Sequence, residues 1–163
     1  MSRDRYDVDV STRFRVVPAA YLLLLRSGSD GEEILLHLRQ GTGYYDAHWA
    51  LVAGHVEAGE SVFAAAAREA AEETGVIVAV EDVEPLTAMH RTLRGGGAIE
   101  QRVDFFFAAR RWRGDPSVIE ADKAADMSWF PVAALPRPLV PHEAAVLAGY
   151  TSGSLPPIIT WGF

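Results

Sequence analysis

One stretch constrains this chain more than any other: from Ser61 to Thr74 it is rich in alanine and glutamate, holds no glycine or proline, and stops at Gly75. That pattern predicts a helix closed by a glycine C-cap. At 100° per residue, Glu69, Glu72 and Glu73 fall at about 0°, 300° and 40° around the helix axis, within one third of its circumference. They form one acidic face. Phe63, Ala67, Ala70, Ala71 and Thr74 fall between about 100° and 200°, so this opposite side is predicted to pack on a sheet, its alanines allowing close approach. Like charges spaced i, i+3 and i+4 each cost roughly 0.2–0.5 kcal/mol. Carboxylates in the last turns also oppose the helix dipole, by about 0.3–1 kcal/mol. Such a face calls for a compensating cation, and a cluster of hard oxygen donors suits Mg²⁺ or Mn²⁺. Three glutamates alone would equally describe a solvated helix face, so the decision rests on their surroundings.

Apolar runs at Val16 to Arg26 and Glu33 to Arg39 flank the turn-rich Ser27–Gly31 and predict a β-hairpin. Trp49 to Ala53 reads as a third short strand. Beyond the helix, Val76 to Val80, Leu86 to Thr92, Arg102 to Ala109 and Met127 to Phe130 read as further strands, and His142 to Tyr150 as a terminal helix. Residues 1–14 read as a polar lead-in, with Val8 and Val10 marking a short edge strand. Residues 15–163 read as one domain, and the tail from Thr151, with Pro156 and Pro157, as irregular. The order of strands, helix, strands, helix, with hairpin-like returns, predicts an α/β (α+β) fold in which helices cover both faces of a mixed sheet.

The bulk numbers narrow the partners. A net charge of −7 predicts no general attraction to duplex nucleic acid or an anionic membrane, so an anionic substrate needs local cations. Zero cysteines exclude disulfides, thiolate metal sites and a cysteine nucleophile. The early apolar run Val16 to Leu25 contains Pro18 and is far short of the roughly 20 residues that span a bilayer. The simplest expectation is a cytoplasmic protein, with homodimerisation through a sheet edge or the tail left open.

Around the helix the spacing is Gly54, five residues, Glu60, seven residues, then Arg68-Glu69-Ala70-Ala71-Glu72-Glu73-Thr74-Gly75-Val76. Here the chain resembles the Nudix hydrolases, whose signature is Gly-x5-Glu-x7-Arg-Glu-U-x-Glu-Glu-x-Gly-U, with U a bulky aliphatic. All seven fixed residues match; Ala70 at the first U position is the departure, and it concerns packing. The resemblance implies an α/β/α sandwich and a magnesium-dependent hydrolase that cuts a diphosphate linkage in a nucleotide or other nucleoside diphosphate derivative, with manganese as a substitute ion. It implies metal binding by Gly54, Glu69, Glu72 and Glu73, a catalytic part for these glutamates, and supporting parts for Glu60, Arg68 and Gly75.

Such sites commonly recruit one more acid from a later loop. The run Arg111-Trp112-Arg113-Gly114-Asp115-Pro116, followed by Glu120 and Trp129, resembles the corresponding region of the mutator-type triphosphate-sanitising members. That resemblance makes Glu120 the expected extra ligand or base, ahead of Asp122 and Asp126, with Glu69 as the alternative base. Arg39 is expected against substrate phosphates, and Tyr44, Trp49 and Trp129 are candidates to stack on a base. By elimination among subgroup motifs a (d)NTP is the expected substrate. Alternatives are ADP-ribose, a nucleotide sugar, or binding without hydrolysis. The mutator protein reads an oxidised purine with an asparagine, and this chain contains none.

Overall fold

The structure, a computed structural model, describes residues 10–163. Its spine is β1 (Val17–Gly28), in which Ala19 to Leu25 are all buried. An apolar run buried on both faces belongs to an interior strand, and β1 has neighbours on each side. It pairs in parallel with β6 (Arg102–Ala109), and antiparallel with β4 (Val52–His55) along its first half and β2 (Gly31–Arg39) along its last residues. β2 also carries β3 (Trp49–Ala50) and β7 (Ala124–Pro131), both antiparallel. On the far side, β5 (Glu84–Arg91) pairs antiparallel with β6 and parallel with β8 (Ile158–Trp161). Among the described residues the result is a mixed eight-stranded sheet.

Strand alternation sorts the core into two layers. Ala20, Leu22 and Leu24 face Ala65, Ala66 and Ala70 of helix α1 (Val62–Thr74). Ala19, Tyr21, Leu23 and Leu25 face Val146 and Leu147 of helix α2 (Pro141–Ser152). Burying each such leucine is worth about 1.5–3 kcal/mol, so β1 alone ties both helices to the sheet. The α/β/α sandwich with a mixed sheet is therefore observed.

Several local expectations differ. The Trp49 to Ala53 strand is two strands, because the Leu51 N–H turns away from the sheet and donates to the Glu143 carboxylate at 2.6 Å. Val76 to Val80 is not a strand. Val76 and Val78 are buried, but among the described residues only one bridge, Ile77 to Arg113, gives the segment a ladder partner, and a 3-10 turn begins at Val80. The tail is not wholly irregular, since β8 extends the sheet beside β5. The expected edge strand around Val8 lies outside the described residues, and Val10–Thr12 form a 3-10 turn.

Candidate active site

Helix α1 is closed at both ends. The Ser61 hydroxyl accepts from the Ala64 N–H at 3.1 Å, and Gly75, at φ 77°, donates its N–H to Ala71 at 3.0 Å. That left-handed conformation suits glycine. Two more of the helix's final carbonyls are capped from a distant loop: Ser117 N–H donates to the Thr74 carbonyl at 3.0 Å and Ile119 N–H to that of Glu73 at 3.3 Å. Satisfying those groups fixes the loop and delivers Glu120 to the acidic helix.

The expectation that core and acidic faces lie opposite each other needs correction. The buried residues of α1 are Ala65, Ala66, Ala70 and Thr74, and on the same helical wheel Ala65 stands at about 320° and Ala66 at about 60°. Glu73, at about 40°, thus falls inside the buried arc, while Glu72 stays exposed. The helix leans its carboxylates against the sheet rather than away from it. Gly54 on β4 makes room: a Cβ there would lie 1.9 Å from Glu69 Oε1.

A cavity of about 370 Å³ opens between α1, β4 and the end of β2, and Gly54, Glu69, Glu72, Glu73, Glu120, Arg39 and His37 all line it. Arg68 organises one wall. Its guanidinium grips Glu60 with two bonds (3.1 and 2.7 Å), and donates to Glu69 at 2.7 Å, to Glu72 at 3.1 Å and to the His55 carbonyl at 3.0 Å. Glu60 is itself held by the Glu57 N–H at 2.7 Å, and these bonds, that of Arg68 first, lower its pKa. Among the described residues no three acid or histidine side chains form a ready-made cation cage.

The opposite wall is under-satisfied. Burial, reinforced by the negative charge of Glu69 and partly offset by a hydrogen bond from the Ala53 N–H, pushes the Glu73 carboxyl well above its ordinary range. Among the described residues its Oε2 has no hydrogen-bond partner, and neither has Nδ1 of His37, 3.8 Å away. Burial also lowers His37 to about 4, with Arg39 adding to the effect, so the imidazole is neutral. Burial raises Glu69 as well, against the opposing pull of Arg68. Glu120, half-buried, is paired with Lys123 at 2.6 Å. Arg39 is braced through the Tyr44 carbonyl (2.8 Å) and the Thr42 hydroxyl (3.0 Å).

A second cavity of about 330 Å³ adjoins the first, sharing Arg39, Ala53, Gly54 and His55, and adds Tyr44, Tyr21, Arg91, Arg102 and Glu143. Asp104, fully buried beneath it, pairs with Arg91 at 2.7 Å and Arg102 at 3.3 Å. Arg102 reaches on to His55 Nε2 at 2.9 Å. Glu143 is buried, and that burial pushes its carboxyl up to about 8.

The structure therefore brings Gly54, Glu69, Glu72, Glu73, Glu120 and Arg39 together, with Tyr44 on the adjoining wall. It leaves two aromatic candidates outside both cavities. Trp49 packs edge-on against Phe130, and Trp129 stacks on Trp112 with Arg26 over its ring at 4.1 Å. Both have apolar or cation–π partners in the core layers. Asp122 and Asp126 line neither cavity. Sequence reasoning missed His37, Asp104 and Glu143. Asp104 inside Arg-Val-Asp-Phe-Phe-Phe, and Glu143 ahead of Ala-Ala-Val-Leu, were legible as lone acids in apolar surroundings.

The sandwich and its acid-lined cavity define a class of protein, and comparison with known proteins identifies it. The NUDIX domain family matches residues 16–150. Among curated proteins the chain is similar to the 8-oxo-dGDP phosphatase NUDT18 of Mus musculus, 30% identical over 128 residues, which cover 76% of this chain and 36% of that protein. The Homo sapiens counterpart gives the same figures. The chain thus matches little more than a third of these relatives' length. Among solved structures, a MutT NUDIX hydrolase from Burkholderia pseudomallei superposes with a TM-score of 0.72 at 26% identity, over 82% of this chain and 97% of that one. The NUDIX domain of Shewanella oneidensis NrtR, solved with ADP ribose, shares the fold, with a TM-score of 0.73 at 20% identity over 94% of this chain and 99% of that one. The chain belongs to the Nudix hydrolase family. No helix among the described residues is long and apolar enough to cross a membrane.

Proposed function

We propose that this chain hydrolyses the diphosphate linkage of a nucleoside di- or triphosphate with a divalent magnesium or manganese ion as cofactor. The observation that carries this reading is the Glu73 carboxylate, with one oxygen buried and unpartnered among the described residues, lining the same cavity as Glu69, Glu72, Glu120, Gly54 and Arg39. The carboxyl is also crowded by the negative charges of Glu69 and Glu120, and a hard cation is a partner that relieves that repulsion. The donor set, carboxylates beside a glycine main chain, fits a small oxygen-seeking divalent ion. Glu69, Glu72, Glu73 and Glu120, with the Gly54 main chain, are the residues that would hold it; when bound, it supplies neutralisation of phosphate oxygens and polarisation of the diphosphate.

The chain's own groups supply the rest. Arg39, anchored by two hydrogen bonds and lining both cavities, binds phosphate oxygens from the strand side. Arg68, fixed by Glu60, holds Glu69 and Glu72 in place. Glu69 or Glu120 takes the proton of the attacking water. The adjoining cavity, with Tyr44 at its wall, receives the nucleoside. Similarity to an 8-oxo-dGDP phosphatase supports nucleoside diphosphates alongside triphosphates. Without asparagine, any reading of an oxidised purine falls to other groups. A cytoplasmic setting belongs to this reading.

The test is a panel of deoxynucleoside di- and triphosphates, 8-oxo-dGDP, ADP-ribose and nucleotide sugars, with Mg²⁺ or with EDTA, products identified by mass. Cleavage at a phosphorus–oxygen bond of a di- or triphosphate that stops in EDTA is expected. Activity indifferent to EDTA, or no cleavage of any compound, would overturn the reading.

A further inference from the structure

We propose that His37 is a positioning residue for Glu73: its Nδ1–H hydrogen-bonds the buried carboxylate oxygen and sets the direction in which that carboxylate faces the cavity. The inference rests on the reading of the site given above. His37 Nδ1 and Glu73 Oε2 are both buried, both without a partner among the described residues, and 3.8 Å apart. Two orphan atoms that face each other across less than an ångström beyond bonding distance are each other's nearest remedy, because leaving either unpaired is unfavourable. Closing the gap to an ordinary N–H···O separation of about 2.9 Å needs about 0.9 Å of side-chain movement. A void of about 20 Å³ lined by both residues gives the ring room to turn.

The fold holds the histidine to this task. Its backbone is fixed from both sides, opposite Ala50 on β3 and Met127 on β7. Strand alternation turns it, with Leu35, toward the α1 layer. A bond from His37 to the unpartnered oxygen fixes the direction in which the carboxylate plane faces. An imidazole N–H orients a carboxylate through a single directed hydrogen bond.

The experiment compares wild type with His37→Phe, which keeps a ring and loses the donor, and His37→Asn, which restores an N–H close to the Nδ1 position. Three quantities are read: kcat and KM on a cleaved nucleotide, Mn²⁺ affinity of the free protein by electron paramagnetic resonance, and the thermal midpoint. His37→Phe is expected to lose about ten- to a hundredfold in kcat and in Mn²⁺ affinity with a smaller change in KM, and His37→Asn to stay within about threefold of wild type. Nitrogen-15 spectra of histidine-labelled protein should show a protonated, slowly exchanging Nδ1 that vanishes in His37→Asn. Retention of activity and Mn²⁺ affinity by His37→Phe overturns the proposal, as does an unprotonated Nδ1. Equal losses in both variants that track the thermal midpoint overturn it in favour of a packing role. A wild type that neither cleaves nucleotides nor binds Mn²⁺ overturns the reading of the site itself, and this proposal with it.

Discussion

Two polar clusters lie side by side under the same strands, and they are built on opposite terms. Around Asp104 the charges pair: Arg91 and Arg102 close on its two oxygens, and Arg91 also reaches the Tyr44 hydroxyl at 3.3 Å. Around Glu73, a buried carboxylate crowds against Glu69, with an unpartnered oxygen and an unpartnered imidazole nitrogen beside it. A satisfied buried network makes a rigid floor, whereas an unsatisfied one keeps a binding capacity in reserve. The contrast separates the part of the pocket that holds shape from the part that holds chemistry.

The largest effect expected of that contrast is on stability. Asp104→Ala strands two guanidinium groups in a nearly solvent-free place and should cost about 3–5 kcal/mol in chemical denaturation. A loss under about 1 kcal/mol, the range of an exposed pair, would mean that the cluster is not the rigid floor described. Glu73→Gln should do the reverse, lowering turnover by more than about a hundredfold, beyond what residues outside the metal's direct ligands typically cost. Its unfolding midpoint should stay level or rise, because a buried charge is removed. Near-normal hydrolysis by this variant would detach Glu73 from the chemistry.

Arg68→Lys comes next. A lysine cannot hold Glu60 with a two-pronged fork while serving Glu69 and Glu72, so a loss of about tenfold in activity is expected. An unchanged rate would show that those carboxylates orient themselves. The smallest effect concerns pH. Glu143 is pushed up to about 8 by burial, so the folded state binds its proton more tightly than the unfolded chain does. Its contribution to stability is then present in acid and lost as pH rises from the ordinary carboxylate range through about 8. Glu143→Gln, whose amide oxygen can still accept from Leu51, should flatten that decline in a series of thermal midpoints. An unaltered slope would place the titration elsewhere.

Much of this was legible in one dimension. Helix α1, with no interior glycine or proline and a glycine at its end, is a local affair, and so is the alternation that buries β1 between two layers. The spacing from Gly54 through Glu60 and Arg68 to Glu73 named the residues that the cavity gathers, because a strand, a short loop and a helix of that length leave few ways to arrange them. The misjudged segments share a different cause. β8 extends the sheet along the edge of β5, and Val76 to Val80 stays out of the sheet because among the described residues only Arg113 meets it. Each depends on what a distant part of the chain brings alongside.

The amino-acid order by itself determined the helix, its carboxylates and the family to which they belong, since propensity, periodicity and spacing are properties of neighbours along the chain. Only the tertiary structure decided that Glu73 turns inward, that Glu120 arrives on a loop capping α1, and that His37 and Asp104 sit where they do. Burial and the pairing of charges depend on distance in space, and residues 36 positions apart, such as His37 and Glu73, carry no local sign that they will meet.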